Sequence, residues 1–270
     1  MTIKGNLKKK LDRLKAILKA YEKLAVAFSG GVDSTFLLKI AVDELGENAI
    51  AIYVESPLQP RREKEAIKEI IRNIGAELDV LSVNELNHEA FRNNPPERCY
   101  YCKGLIFGNL LEVAHLKGIS NVVDGSNYDD SKDYRPGMKA LKERGIKSPL
   151  QEAGLTKDEI RTLSRDYNLP TWDKDALACL ATRIPFGETI TTDKLIKVDE
   201  AEEYLIDQGF RNVRARYFGE TILIEVRHDQ VSRFKNSEFF NQIKEKMGKI
   251  GFNTIEIAPE GYKQGRLNPK

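Results

Sequence analysis

The sequence predicts an α/β protein, a doubly wound parallel sheet followed by a small α+β C-terminal domain. Short apolar runs alternate with helical segments through the first half of the chain, and the first run stops at Ser29-Gly30-Gly31 before a helix begins. After Gly187 that alternation gives way to two neighbouring strands with helices on either side. Strands spaced by such helices pair in parallel and are covered on both faces, and ligands then sit at their carboxyl ends. The expected boundaries are 1–187 for the first domain, 188–260 for the second and 261–270 for a frayed tail.

Leu7, Leu11, Leu14, Ile17, Leu18 and Tyr21 recur at spacings of three and four, which predicts an amphipathic helix over 6–23. Residues 24–28 form a short apolar strand, and helical spacing resumes over 34–43. Further strands are expected at 49–54, 77–83 and 121–124, with helices at 61–74 and 104–117 between them. The polar stretches 124–136 and 170–187 read as loops reaching over the site. Between them, Thr156 and Glu159 make a capping-box signature for a helix that runs to Tyr167 and ends at Leu169-Pro170. In the second domain, helices at 192–208 and 230–247 flank strands at 213–218 and 222–226 around Gly219, and a last strand is expected at 254–257.

Of 270 residues, 41% are hydrophobic and 31% charged, enough to build a core and solvate its surface. Lys plus Arg total 43 against 41 Asp plus Glu, so a net charge of +2 gives no global reason to expect nucleic acid. No window approaches the ~18 consecutive apolar residues of a membrane span, and the N-terminal residues lack the apolar core of a secretory signal. A cytoplasmic protein is expected. In a reducing compartment its three cysteines suggest metal or redox chemistry more than structural disulfides.

Ser29-Gly30-Gly31-Val32-Asp33-Ser34 puts two glycines and two hydroxyls between a buried strand and a helix start. Glycine lets backbone N–H groups converge on an anion, and the helix end adds a favourable partial charge. A bare Gly-Gly pair would more often be a tight turn with Asp33 or Ser34 as cap. The string has neither the ending of a Walker loop nor the glycine spacing of a Rossmann loop. It resembles the SGGxDS loop of the PP-loop ATP pyrophosphatases, which include the GMP and NAD synthetases, asparagine synthetase and several tRNA thiolases. The resemblance implies cleavage of ATP to AMP and pyrophosphate through an adenylated substrate. It also implies that Ser29, Gly30, Gly31, Asp33 and Ser34 cradle the pyrophosphate end, that Asp33 helps hold Mg2+, and that Ala27, Phe28 and Val54 flank the adenine.

Cys99 and Cys102 form a Cys-x-x-Cys pair ahead of a helix, and Cys179 lies in a separate loop. Such a pair can place both thiolates on one metal, and a distant third completes a three-cysteine site with one position open. Taken singly, intracellular cysteines are more often small buried residues. The segments NPPERCYYCK, DGSNYDDSKDYRPG, PLQEAGLTKDEIR and ACLATRIPFGE together resemble the LarE family, with the match running from Lys4 to Val226.

LarE-type proteins insert sulfur into the nickel-pincer cofactor of lactate racemase. The resemblance implies a small acidic mononucleotide substrate, pyridinium-3,5-biscarboxylic acid mononucleotide, whose carboxylate is adenylated and then converted to a thiocarboxylate. One branch takes the sulfur from the cysteine matching Cys179, leaving dehydroalanine. In the other, three cysteines hold a 4Fe-4S cluster whose open iron carries an extra sulfide. Because Cys99, Cys102 and Cys179 are all present, the resemblance implies the cluster branch, reloaded by sulfide or another sulfur donor. Zinc on the same thiolates is the competing reading. The family resemblance also implies a homo-oligomer.

Arg183 and the alternating Arg214 and Arg216 would gather guanidinium groups for a phosphate, and the family reading assigns them to the substrate's phosphate. The plain alternative is a solvated strand face paired with Glu202, Glu203 or Glu225. In the acidic loop that also holds Asp124, Asp129 and Asp133, Gly125 and Asp130 are candidates for magnesium or substrate binding, although acids in turns are usually turn formers. Trp172 and Asp173 are expected to anchor the Cys179 loop, and His88, His115 and His228 show no ligand spacing. A tRNA thiolase would carry zinc-ribbon cysteines or a basic RNA-binding module, and neither is evident. An ammonia-using synthetase has no need of three cysteines, and a non-catalytic scaffold has no need of an intact Asp33 and Ser34.

Overall fold

The computed structural model describes residues 5–132, 136–175, 179–263 and 265–267. Asp133, Ala176, Leu177, Ala178 and the last three residues fall outside them. The chain divides into two compact units. One comprises Met1–Ser56, Glu63–Val83 and Cys99–Leu177; the other comprises Pro57–Arg62, Asn84–Arg98 and Ala178–Lys270.

The first unit is the expected α/β layer. Strands β1 (Leu24–Phe28), β2 (Ala49–Glu55), β3 (Glu77–Ser82) and β4 (Asn121–Val123) pair in parallel in the order β3-β2-β1-β4. The helices are α1 (Gly5–Lys19), α2 (Val32–Leu45), α3 (Arg61–Ile74), α4 (Glu89–Arg92, in the second unit), α5 (Arg98–Leu116), α6 (Pro136–Glu143), α7 (Pro149–Glu152) and α8 (Lys157–Asp166). Strand alternation sorts β1 and β2 between two cores. Leu24, Val26, Phe28, Ala51 and Tyr53 pack with Leu14, Phe36, Ile70 and Leu163, whereas Ala25, Ile50, Ile52 and Val54 pack with Phe107, Leu110 and Leu141. A strand buried on both sides reads as one continuous apolar run, which is why period-two patterning is invisible there.

In the second unit β5 (Arg214–Phe218) and β6 (Thr221–Glu225) form an antiparallel hairpin, and β7 (Thr254–Ile257) adds in parallel to β6. Helices α9 (Thr192–Asp207) and α10 (Ser237–Ile250) accompany the sheet, and Val198, Leu205, Ala215, Ile224, Ile243 and Met247 are fully buried. Among the described residues no helix is long and apolar enough to cross a membrane.

Three expectations need correction. Helix α5 starts at Arg98, six residues before the expected start, so the Cys-x-x-Cys pair lies within its first five residues. Its entry is set by Arg98 N–H donating to Pro95 O at 2.9 Å, and prolines just ahead of a helix suit its opening turn. The single helix expected at 230–247 is two elements, a 3-10 stretch at His228–Lys235 and then α10. They part at Asn236, whose side chain accepts from Phe239 N–H at 2.9 Å and so caps a new helix. The loop expected at 124–136 contains a 3-10 turn at Asp129–Lys132 and meets α6 at its end.

Candidate active site

The glycine loop leaves β1 and enters α2 with Gly31 as N-cap, and no side chain caps that end. Gly31 thus offers the first-turn N–H groups no side-chain acceptor, which is the geometry an anion completes. The two hydroxyls stabilise the loop internally: Ser29 Oγ and Ser34 Oγ lie 3.0 Å apart, and Ser34 Oγ accepts from Ser29 N–H at 3.2 Å. Gly30 has φ +71°, and a Cβ there would stand 2.4 Å from Ile67 Cδ1. The left-handed φ favours glycine, whereas the tip of Ile67 could move aside.

Gly125, just past β4, serves the same loop from the other side. A Cβ there would lie 2.9 Å from Ser34 N and 3.2 Å from Ser34 Cα, both backbone atoms at the start of α2. Gly125→Ala should push the two segments apart, at about 1–3 kcal/mol. We expect ATP affinity, measured by calorimetry, to fall roughly tenfold while the fold is retained.

Asp33 sits at the mouth of the loop. Its Oδ2 accepts from Lys157 Nζ at 2.5 Å, while its Oδ1 is buried with no hydrogen-bond partner among the described residues. Burial raises its pKa, Lys157 pulls against that rise, and the nearby Asp130 adds to it. A buried carboxylate oxygen left unmatched in this way suits a divalent cation, so the residues present fit Mg2+. Asp130 itself accepts from Asn127 N–H at 3.0 Å, which makes it a turn former as well as a neighbour of Asp33. Lys157 was not foreseen; its side chain reaches the loop from the first turn of α8, whose capping box of Thr156 and Glu159 forms as expected. A second unforeseen cation, Lys174, pairs with Glu63 and donates to Gly30 O at 3.1 Å.

The expected adenine neighbours are divided by strand alternation. Ala27 and Val54 belong to one face of the sheet and Phe28 to the other, where it is core. The Phe28 side chain therefore does not join Ala27 and Val54. Trp172 is held by α8: Arg161 donates to Trp172 O and Lys174 O, each at 2.7 Å, and Arg165 lies 5.6 Å over the Trp172 ring.

In the second unit Arg183, Arg214 and Arg216 are all buried. The ion pairs of the plain reading are present too. Arg183 makes a bidentate pair with Glu202, both bonds at 2.7 Å, and Arg216 meets Glu225 at 2.8 Å. Glu203 meets Arg61 at 3.3 Å. Glu202 raises the Arg183 pKa against the effect of burial, whereas burial and then Arg183 lower that of Arg214. The cluster also grips the cysteine turn. Arg183 Nη1 donates to Cys179 O at 3.3 Å, and Arg216 Nη1 donates to Thr182 O at 2.8 Å.

None of the three cysteines is in a disulfide. Cys99 and Cys102 stand three residues apart in one helical turn, which puts both thiols on one face of α5. Cys179 is exposed and serves as N-cap of the 3-10 turn Leu180–Arg183. Asn94, fully buried and also unforeseen, donates to Pro185 O at 2.7 Å and Glu188 O at 3.1 Å. Arg98, immediately before Cys99, lies 4.2 Å over the Phe186 ring. Asn94 and Arg98 are thus held by residues 185–188 of the same unit. Among the described residues no three His, Cys, Asp or Glu side chains converge as a ready metal cradle.

Comparison with known proteins gives this geometry a lineage. Residues 3–96 match the PP-loop domain family. The pyridinium-3,5-bisthiocarboxylic acid mononucleotide synthase of Lactiplantibacillus plantarum is 34% identical over 98% of this chain and 95% of its own. The chain belongs to the LarE family of PP-loop sulfur transferases. An uncharacterized protein of Synechocystis sp. is 38% identical over 97% of this chain and 98% of its own. A glutamine-hydrolyzing GMP synthase component of Archaeoglobus fulgidus is 31% identical over 55% of this chain and 52% of its own, so the likeness to amidating synthetases is a partial one. As a LarE-family member with an intact PP-loop, the chain is an ATP-dependent sulfurtransferase.

Proposed function

We propose that this enzyme adenylates a carboxylate of a pyridinium dicarboxylate mononucleotide and converts it to a thiocarboxylate. The carboxylate oxygen attacks the α-phosphorus of ATP and pyrophosphate leaves; sulfur then attacks the acyl carbon and AMP departs with the electron pair. AMP makes this possible because a carboxylate oxygen is by itself a poor leaving group. In this reading Ser29, Gly30, Gly31 and Ser34 hold the leaving pyrophosphate, Asp33 holds Mg2+, and Gly125 keeps the loop closed against β4. Ala27 and Val54 border the adenine, with Phe28 contributing backbone only.

The observation that carries the reading is the joining of the arginine cluster to the Cys179 turn. Arg183 and Arg216 bind backbone carbonyls of that turn, so a phosphate recruited by Arg183, Arg214 and Arg216 would be registered against Cys179. A substrate bearing a phosphate at one end and a carboxylate at the other matches that design.

In this reading Cys99, Cys102 and Cys179 are the ligands of a 4Fe-4S cluster, since three thiolates are a donor set that leaves one iron open. Two of the thiols, Cys99 and Cys102, share a helical face. When bound, the cluster would supply a sulfur at the iron that no cysteine ligates. Protein purified without oxygen is expected to be brown and to contain about four irons per chain. One zinc per chain would overturn the cluster assignment. Loss of the Cys179 sulfur after one turnover, read by mass, would instead establish the cysteine as the donor.

A further inference from the structure

The cluster around Arg214 has a component that neither the reaction nor the family likeness assigns, the C-terminal segment after β7. Tyr262 N–H donates to Val226 O at 2.7 Å, and Gly261 N–H to Ala258 O at 3.0 Å. Gly261 has φ +74°, and a Cβ there would meet Val226 O at 2.7 Å and His228 N at 2.9 Å, so the segment is pressed onto the end of β6. From this seat Arg266 forms an ion pair with Glu225 and donates to Glu260 at 2.8 Å.

Glu225 has no solvent exposure, and its two oxygens are divided: Oε2 takes Arg216 and Oε1 takes Arg266. Arg214 is the residue directly across from Glu225 in the β5–β6 register, on the same face of the sheet. Yet Arg214 lies over the Tyr262 ring, at 4.9 Å. A buried carboxylate whose second oxygen is vacated will capture the nearest guanidinium.

We propose that Arg266 and Tyr262 are positioning residues of the anion site. Arg266 saturates Glu225 so that Arg214 is directed toward the substrate's phosphate, and Tyr262 supplies the surface on which Arg214 rests. This rests on the reading of the arginine cluster as a phosphate site.

The test uses the full chain and follows ATP-dependent pyrophosphate release as a function of mononucleotide concentration, with inorganic phosphate as competitor. In Arg266→Gln and in Tyr262→Leu we expect KM for the mononucleotide to rise about tenfold and inhibition by phosphate to weaken in parallel. The saturated rate and KM for ATP should stay near the parent values, and Arg266→Lys should recover most of the affinity. Arg214→Gln separates the two layers of the argument. If it leaves KM unchanged, the phosphate reading of the cluster falls and this proposal with it. If Arg214→Gln raises KM while Tyr262→Leu and a folded Arg266→Gln do not, the proposal alone is overturned. Should Arg266→Gln fail to fold, Tyr262→Leu decides between these outcomes through the same change in KM.

Discussion

Cys179→Ser is expected to release pyrophosphate from ATP at about the parent rate while forming at least ~1,000-fold less thiocarboxylate. The two half-reactions separate because Cys179 holds its turn through its backbone. Its carbonyl oxygen accepts from Thr182 N–H at 2.9 Å, Thr182 Oγ1 at 2.8 Å and Arg183 Nη1 at 3.3 Å, and none of these contacts involves the sulfur. Serine keeps every one of them, along with the exposed position. What it removes is a thiolate, as ligand or as donor, and a hydroxyl replaces neither function. Cys99→Ser and Cys102→Ser act on the same half-reaction if the three thiols share a cluster, and each would then cost iron as well as product. Pyrophosphate release and product mass, followed in the same sample, provide the check. Undiminished thiocarboxylate from Cys179→Ser would remove the residue from the chemistry, and loss of pyrophosphate release would move its role to adenylation.

The parts of this site that were legible in the sequence are those that depend on neighbours along the chain. The string from Ser29 to Ser34 announced the anion loop because phosphate binding needs glycine and a helix start in sequence. The capping box at Thr156 and Glu159 was readable for the same reason, as was the pairing of Arg214 and Arg216 on one face of β5. What stayed hidden was set by contacts across the fold. Lys157 reaches Asp33 from 124 residues away, and no periodicity marks a surface lysine for that task. Asn94 and Arg266 act over distances of 91 and 41 residues. The face taken by the Phe28 side chain stayed hidden because a strand buried on both faces conceals which side each residue takes. The short helices α4, α6 and α7 span 4, 8 and 4 residues, too few for a helical period to declare itself.

Asp33→Asn should reduce pyrophosphate release by about 100-fold or more if the carboxylate supplies the charge proposed to hold Mg2+. Asparagine preserves the shape and can still accept from Lys157, so the loss would report charge and not loop collapse. The pH dependence follows from the same environment. Burial raises the Asp33 pKa despite Lys157, so the carboxyl takes up a proton at a higher pH than an ordinary aspartate. A bound cation favours the ionised form. Affinity for Mg-ATP should therefore rise with pH through that pKa, and binding below it should release a proton. The sign for folding is the reverse: with no cation bound, a carboxyl whose folded pKa is raised makes the fold less stable as pH climbs from the unfolded value through the folded one. Asp33→Asn abolishes both dependences at once. Calorimetry of Mg-ATP binding in buffers of different ionisation enthalpy would detect the proton, and its persistence in Asp33→Asn would assign it to another group.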